Sequence, residues 1–295
     1  MQIAKCGSAE LAEVKLQIEE CDSDTCRLLV DPPSPGAWNM AVDDVLLAAA
    51  ADEGVATLRF YEWSEPTLSL GYFQHYGDRR RHSASLDCPI VRRQTGGGAI
   101  VHDRELTYSL TLPAGHPLAA KAEELYRAVH GAFVAALRPL IAGENQTLPL
   151  HIRENKRQHR PEDEPFLCFQ RRARGDVLLT ALPRANSNAM TGGTPVTTGT
   201  TVKILGSAQR RRRGAILQHG SLLLEASPAA PELPGICNLT GVPISASELT
   251  AELSTRLSEL LHVSLIESRL PDELRFTVDR LIEEKYDLPA WTIRR

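Results

Sequence analysis

The sequence contains no long apolar run and few aromatic residues. No stretch approaches the ~18 consecutive apolar residues of a membrane-spanning helix, and the opening MQIAKCGSAE lacks the apolar core of a secretion signal. Aromatic residues make up 5% of the chain, and 33 Lys and Arg nearly balance 37 Asp and Glu, for a formal net charge of -4. These features predict a cytoplasmic protein whose partners include neither membrane nor nucleic acid.

Cysteines at metal-binding spacing are also lacking. Cys21 and Cys26 are separated by four residues with no second pair at zinc-finger spacing, which argues against a metal site. A chain of 295 residues without a secretion signal does not need disulfides. We therefore expect each cysteine to be either a small buried apolar side chain or a reactive thiol. The six are Cys6, Cys21, Cys26, Cys88, Cys168 and Cys237.

Strand-like runs dominate the middle of the chain and helical patterns flank them, which predicts an α+β (mixed α/β) fold with one main sheet. Residues 1–26 read as a variable N-terminal extension, and 27–295 as a single domain, because no linker divides them. The polar stretches at 142–165 and 183–200 are predicted to be long irregular loops, and the second, the 183–200 excursion, lies between two strands. The predicted helices run from Asn39 to Gly54, from about Ala119 to Arg138 with Pro139 just beyond, from the capping box Ser245–Glu248 onward, and from Pro271 to about Tyr286.

Three consecutive glycines stand between two strand-like runs in VRRQTGGGAIVHD. No Gly-Lys-Ser/Thr follows, which excludes a P-loop, and a strand rather than a helix comes next, which excludes a Rossmann turn. A glycine-rich turn between strands lets the backbone approach a ligand closely, with N–H groups free to bind carbonyl or phosphate oxygens. The alternative is a hairpin turn flanked by the solvated side chains of Arg92 and Arg93.

Five motifs occur in order and carry a family resemblance: NMAVDDVLL, LRFYEWSEPTLSLGYFQ, RRQTGGGAIVHDRELTYSL, KILGSAQRRRRGAILQHGSLLL and EKYDLPAW. Together they span roughly Leu28 to Trp291 and resemble the lipoate–biotin protein ligase superfamily, which contains lipoate–protein ligases, biotin protein ligases and octanoyltransferases. The resemblance implies a central mixed β-sheet flanked by helices, related to class II aminoacyl-tRNA synthetases, with an acyl chain held in a tunnel.

The resemblance also implies a set of substrate-binding residues. Lys203 matches the family lysine that contacts the substrate carbonyl, a role that suits a point donor in a half-apolar cleft; the alternative is an exposed strand lysine. The other matching positions belong to the glycine-rich loop, to the strand of the lysine and to the HGSLL motif: Arg92, Arg93, Gly96, Gly97, Gly98 and His102; Gly206, Ser207, Ala208 and Gln209; His219, Gly220 and Ser221.

The superfamily divides by how the acyl group is activated. In one octanoyltransferase branch a CF pair precedes the lysine strand and its cysteine carries the acyl group; Cys168-Phe169 resembles that pair. A thiolate can accept an acyl group from a thioester without ATP, so Cys168 and Lys203 are the expected catalytic residues and no cofactor is expected. The alternative for Cys168 is a buried structural thiol.

The second possibility is an ATP-dependent lipoate–protein ligase that forms a lipoyl-adenylate. RARGDV loosely resembles a ligase segment, in which case Asp176 would lie beside Mg²⁺ and ATP. The sequence ends at Arg295, shortly after EKYDLPAW, which leaves no room for the C-terminal accessory domain of many ligases and favours the transferase. The alternative is a ligase that obtains this domain as a separate chain.

The transferase prediction implies two protein partners. Octanoyl-acyl carrier protein would be the donor, and a lysine of a lipoyl-domain protein, the glycine cleavage H protein or a dehydrogenase E2 subunit, would be the acceptor. Such partners are typically acidic, so the arginine runs Arg79–Arg81 and Arg210–Arg213 are candidates for docking them. The alternative for both runs is a solvated loop.

Overall fold

The computed structural model describes residues 24–141, 149–155, 164–181, 197 and 199–295. The strands are β1 (Thr25–Val30), β2 (Thr57–Tyr61), β3 (Thr67–Leu70), β4 (Ile90–Arg92), β5 (Ile100–His102), β6 (Glu105–Leu112), β7 (Leu150–Ile152), β8 (Val177–Thr180), β9 (Thr201–Arg212), β10 (Ala215–Leu223) and β11 (Ser264–Glu267). The helices are α1 (Gly36–Asp52), α2 (Ala122–Ile141), α3 (Ile236–Thr240), α4 (Ala246–Leu261), α5 (Asp272–Leu281) and α6 (Pro289–Thr292). A π-helical turn, Ile282–Tyr286, continues α5.

Eight strands form a mixed sheet in the order β11-β1-β2-β6-β10-β9-β8-β7. The pairs of β1 with β11 and β2 are parallel, and the pairs from β2 to β7 are antiparallel. One face packs in a core cluster with α2 and α4, and α1 packs with α5 in a second cluster that includes side chains of the opposite face. The expected α+β fold, a central mixed sheet flanked by helices, is confirmed.

Several boundaries differ from those predicted. β1 begins at Thr25, before the expected start of the folded region at residue 27, because it pairs with β11 from that residue. α1 begins at Gly36 rather than Asn39. Pro139 does not end α2, which continues to Ile141; a proline this close to a C-terminus removes one hydrogen bond, and Ile141 is buried in the core. Most of the 183–200 excursion lies outside the described residues.

Three strands form a second, smaller sheet in the order β4-β3-β5. β3 is parallel to β4 and antiparallel to β5, so the strands before and after the three glycines do not pair with each other. The glycine segment is therefore not a hairpin turn: it crosses the end of β3. At this crossing a Cβ atom on Gly71 would overlap the carbonyl oxygen of Gly97, whose φ of +99° also favours glycine. These two glycines let the segments pass each other.

Candidate functional site

A cavity of about 440 Å³, part of it open to solvent, lies between the main sheet, α1 and the small sheet. Residues from four strands of the main sheet form one wall, and the glycine segment and Cys168 form another. The lining residues are Met40, Tyr61, Arg93, Gly96, Gly97, Ile100, His102, Thr107, Cys168, Gly206, Ser207, Ala208, His219, Gly220 and Ser221.

The segment that carries Cys168 is fixed to the glycine segment by backbone hydrogen bonds. The N–H of Cys168 donates to the carbonyl of Ala99 (2.7 Å), and the N–H of Ala99 donates to the carbonyl of Phe166 (3.0 Å). A Cβ atom on Gly98 would lie 3.0 Å from the backbone nitrogen of Cys168 and 2.7 Å from Nε of Arg171. Gly98 thus allows the cysteine segment to pack directly on the glycine segment.

Lys203 joins Cys168 to Asp176. Its Nζ donates to Sγ of Cys168 at 3.7 Å and lies 3.1 Å from Oδ1 of Asp176. Lys203 and Asp176 are buried, whereas Cys168 is half-buried and faces the cavity. Burial alone would lower the pKa of Lys203, but the negative charges of Cys168 and Asp176 outweigh it and raise the pKa above its ordinary value. Lys203 therefore carries its positive charge beside the sulfur.

Both carboxylate oxygens of Asp176 accept hydrogen bonds from the protein. Oδ1 accepts from the hydroxyl of Tyr126 (2.9 Å), and Oδ2 accepts from the N–H of Ala173 (2.7 Å). Asp176 directly precedes β8, which pairs with the strand of Lys203 and has a register shift between Val177 and Leu178. Its surroundings are those of a carboxylate that orients a lysine. Among the described residues, no group of three or more His, Cys, Asp and Glu side chains is placed to hold a metal ion.

Arg93 is the buried cation behind the glycine segment. It donates to the carbonyl oxygens of Gly96 (2.8 Å), Gly98 (2.7 Å) and Ser69 (3.1 Å). Burial lowers the pKa of its guanidinium to about 10, with Cys168 acting in the opposite direction, so the group remains charged at neutral pH. Arg93, which also lines the cavity, thus fixes the positions of the glycine carbonyls and adds positive potential near the cysteine.

Two histidines of the cavity wall are each held by a carboxylate. His102 contacts Glu105 through Nδ1 (2.6 Å) and Ser69 through Nε2 (2.8 Å), and burial lowers its pKa despite the neighbouring Glu105. His219 contacts Asp43 through Nδ1 (2.9 Å) and the hydroxyl of Thr95 through Nε2 (2.7 Å). Both rings are fixed in orientation on the cavity wall.

Other residues of the predicted set stand behind the cavity rather than on its surface. Arg92 is buried and donates to the backbone carbonyls of Gly71 and Thr292, so it ties the glycine region to the C-terminal helix. Gln209 donates to the carbonyl of Ala122 and to the side chain of Gln218. Their positions indicate that they support the walls. Lys203 and Gly98 also lie outside the lining but contact Cys168.

Sequence reasoning missed four lining residues: Met40, Tyr61, Ile100 and Thr107. It also missed Tyr126 and His130, which reach Asp176 and Ser207 from α2. Tyr126 and His130 could have been found from their spacing, because side chains four residues apart lie on the same face of a helix. That face also carries the buried Val129 and Phe133. Met40 and Tyr61 sit in apolar patterns that look like ordinary core.

The two arginine runs differ in their contacts. Arg79 donates to Tyr76 and to the Leu86 carbonyl, and Arg212 and Arg213 pair with Asp52. Arg210 instead stands over the ring of Tyr72 at 5.7 Å, next to exposed Phe73. Within the second run, Arg212 and Arg213 are therefore paired with a carboxylate, whereas Arg210 is placed against an aromatic ring.

Comparison with known proteins identifies the family. Residues 35–232 match the lipoyl protein ligase A/B catalytic domain, and the chain belongs to that family. Among its relatives is the octanoyltransferase LipM of Kyrpidia tusciae, 31% identical over 296 residues that cover 92% of this chain and 99% of the relative.

Solved structures show the same fold. The putative lipoate protein ligase Ta0514 of T. acidophilum matches with a TM-score of 0.65 and 21% identity, over 92% of this chain and 100% of that one. A bi-partite lipoate protein ligase studied with its E2 lipoyl domain, from Thermoplasma acidophilum, matches with a TM-score of 0.63 and 20% identity, over 92% and 96% of the two chains. None of the helices in the described ranges has the length and apolarity needed to cross a membrane.

Proposed function

We propose that this protein is an octanoyltransferase that moves an octanoyl group from acyl carrier protein to a lysine of a lipoyl-domain protein, through a thioester on Cys168. The single observation that carries the proposal is the contact of Cys168 with the Lys203 ammonium at the edge of a cavity. A cation beside a half-buried sulfur favours the thiolate, which is the reactive form. The octanoyltransferase relatives support this assignment of the reaction.

The first half-reaction loads the cysteine. The Cys168 thiolate attacks the carbonyl carbon of the donor thioester; the new S–C bond forms, the donor S–C bond breaks, and the carrier leaves as a thiol after taking a proton. Lys203, 3.7 Å from the sulfur, is placed to donate to the oxyanion of the tetrahedral intermediate. The octanoyl chain lies in the cavity.

The second half-reaction transfers the acyl group to the acceptor. The neutral amine of a lipoyl-domain lysine attacks the thioester carbonyl, the N–C bond forms, the Cys168 S–C bond breaks, and the amine loses a proton. Thioester and amide chemistry of this kind needs no ATP, so no cofactor enters. The ligase alternative has less support, because Asp176, the carboxylate it would use beside Mg²⁺, already accepts from Lys203, Tyr126 and Ala173.

The acceptor in this proposal is the glycine cleavage H protein or a dehydrogenase E2 subunit, and the reaction takes place in the cytoplasm. The structural neighbour studied with its E2 lipoyl domain supports an acceptor of this class. The donor is assigned from the octanoyltransferase relatives and from the thiol chemistry of Cys168.

The docking surface for the acidic carrier is proposed at the arginine rim, defined as Arg210, Arg294 and Arg295. Arg210 and Arg294 stand over the ring of Tyr72, at 5.7 and 4.3 Å, and Arg295 stands 5.3 Å from the ring of Phe73. Phe73 is 62% exposed and adjoins Gly96 of the cavity wall. Within the described part of the chain none of the three arginines has a carboxylate partner, so the rim presents unpaired positive charge.

Charge reversal tests the arginine rim. Arg210→Glu is expected to lower kcat/KM about tenfold for carrier-bound octanoate, and by much less for the octanoyl thioester of a small thiol. Arg213→Glu is the matched control, because Arg213 pairs with Asp52 and lies outside the rim. Equal effects of the two substitutions would contradict docking at the rim.

The reaction itself is tested with octanoyl carrier protein and an unmodified lipoyl domain as the only substrates. Octanoylation of the lipoyl domain is expected without ATP or Mg²⁺, and Cys168→Ser should abolish it. Modification that requires ATP and Mg²⁺ and persists in Cys168→Ser would establish the ligase instead.

A further inference from the structure

Four residues of the cavity form a single row across four neighbouring strands of the main sheet. Tyr61 of β2 pairs with Thr107 of β6, Thr107 pairs with Ser221 of β10, and Ser221 pairs with Gly206 of β9. Directly opposed residues on paired strands point to the same face. All four line the cavity. They therefore make a straight floor that runs perpendicular to the strands.

The two ends of this floor have different chemistry. At the Gly206 end lies the head of Lys203, since a Cβ atom on Gly206 would overlap the end of the Lys203 side chain. This is the end that holds the Lys203–Cys168 contact. At the opposite end stands the ring of Tyr61, and Met40 of α1 packs in the same apolar cluster and also lines the cavity. The floor thus leads from the reactive sulfur to an apolar end wall.

The length of the floor corresponds to a medium acyl chain. Three strand spacings of about 4.8 Å separate Gly206 from Tyr61, or about 14 Å. Contact of the terminal methyl with the end wall takes about 4 Å, which leaves about 10 Å. At the rise of an extended chain, about 3.6 Å for three bonds, eight carbons span about 8.5 Å and twelve carbons about 13 Å. Eight carbons fit on the floor, and twelve do not.

The end wall is held rigidly. The hydroxyl of Tyr61 donates to Asp43 at 3.1 Å, and the guanidinium of Arg59 stands 3.9 Å from the Tyr61 ring. Tyr61 and Met40 are buried, with 1% and 3% of their surface exposed. A wall fixed in this way cannot retreat without breaking buried hydrogen bonds, which is what a length limit requires.

We infer that Met40 and Tyr61 set the acyl chain length that this protein accepts, by closing the cavity about three strand spacings from Lys203. The inference rests on the proposed function, because it places the reactive end of an acyl group beside Cys168, whether or not a covalent bond forms. Met40 is the adjustable part of the wall: its thioether side chain has no hydrogen-bond donor to leave unpaired, whereas the hydroxyl of Tyr61 is bonded to Asp43. A shorter side chain at Met40 extends the cavity, and a larger one shortens it.

The experiment measures acylation of the protein by thioesters of six, eight, ten and twelve carbons. Wild type is expected to prefer eight carbons over twelve by at least tenfold. Met40→Ala should reduce that preference to threefold or less, and Met40→Phe should move the optimum to six carbons. Val45→Ala is the matched control, since Val45 lies on the same helix and in the same apolar cluster but does not line the cavity. It should keep the wild-type preference.

A second readout separates this inference from the proposed function. Free fatty acids of the same four lengths are added to the Cys168→Ser variant, with and without Met40→Ala, and the shift of Tm is measured. The largest shift is expected for eight carbons, and for ten or twelve once Met40 is replaced. If wild type forms no acyl adduct but the Tm shifts follow this pattern, the proposed function fails and the length limit stands. If both Met40 variants keep the wild-type order of chain lengths, the inference is wrong.

Discussion

The ammonium nitrogen of Lys203 lies 3.7 Å from the sulfur of Cys168, although the two residues are 35 positions apart in the chain. The contact exists because the glycine segment fixes the cysteine segment by the hydrogen bond from Cys168 N–H to the Ala99 carbonyl. Asp176, 3.1 Å from Lys203, holds the ammonium from the other side. The proposed chemistry depends on this placement.

Replacing Lys203 should slow the loading of the cysteine. Lys203→Met keeps most of the side-chain length and removes the charge that favours the thiolate and stabilises the oxyanion. We expect the single-turnover rate of acylation by octanoyl thioester to fall roughly 10²- to 10³-fold. Lys121→Met is the control, because Lys121 is exposed and pairs with Glu124. A rate within threefold of wild type for Lys203→Met would exclude the assigned role.

Neutralising Asp176 should move the pH dependence. Burial lowers the pKa of Lys203, and Cys168 and Asp176 together raise it above the ordinary value. Asp176→Asn removes one of the two raising charges, so the pKa of Lys203 should fall and the alkaline limb of the acylation rate should move to lower pH. Asp44→Asn, whose carboxylate accepts from Lys285 away from the cavity lining, should leave the limb in place. An unmoved limb in Asp176→Asn would contradict the ion pair's role.

Adding one carbon at Gly98 should displace the cysteine. The new Cβ would lie 2.7 Å from Nε of Arg171 and 3.0 Å from the backbone nitrogen of Cys168. We expect Gly98→Ala to destabilise the fold by about 1–3 kcal/mol and to slow acylation by more than tenfold. Gly115→Ala is the control, since nothing lies within 4 Å of its Cβ position. Urea unfolding and single-turnover rates measure both effects, and equal behaviour of the two variants would count against the packing argument.

The buried His130 should make stability depend on pH. Its Nδ1–H donates to the Gly175 carbonyl and its Nε2 accepts from Ser207, and burial lowers its pKa from 6.5 to about 4. In the unfolded chain His130 is protonated below about pH 6.5, whereas in the folded protein it becomes protonated only below about pH 4. Relative to His130→Gln, wild type should therefore lose about 3 kcal/mol as the pH falls from 6.5 to 4, with no change above that window. Urea unfolding at several pH values measures this difference, and a constant difference would contradict it.

The sequence predicted the family, the mixed sheet and most of the cavity residues, because those features depend on local motifs and local periodicity. It did not predict the path of the glycine segment, since the insertion of β3 between β4 and β5 is a non-local pairing. The role of Asp176 beside Lys203 was missed for the same reason: it follows from the pairing of β8 with β9 and from the register shift between Val177 and Leu178.

The end wall of the cavity also could not be predicted from the sequence. In β2, Arg59 and Tyr61 share one face, and Leu58 and Phe60 share the other. All five residues of the strand are buried, so its sequence does not distinguish a cavity residue from a core residue. Only the register of four adjacent strands places Tyr61 in line with Gly206. The chain-length limit is therefore a property of the assembled sheet.

The most direct measurement of the central claim is the intact mass of the protein after incubation with octanoyl carrier protein in the absence of ATP, followed by peptide mapping. The proposal predicts one added octanoyl group, located on Cys168, which disappears on addition of an unmodified lipoyl domain and never forms in Cys168→Ser. An unmodified protein that nevertheless octanoylates the lipoyl domain, or an adduct on any other residue, would contradict it.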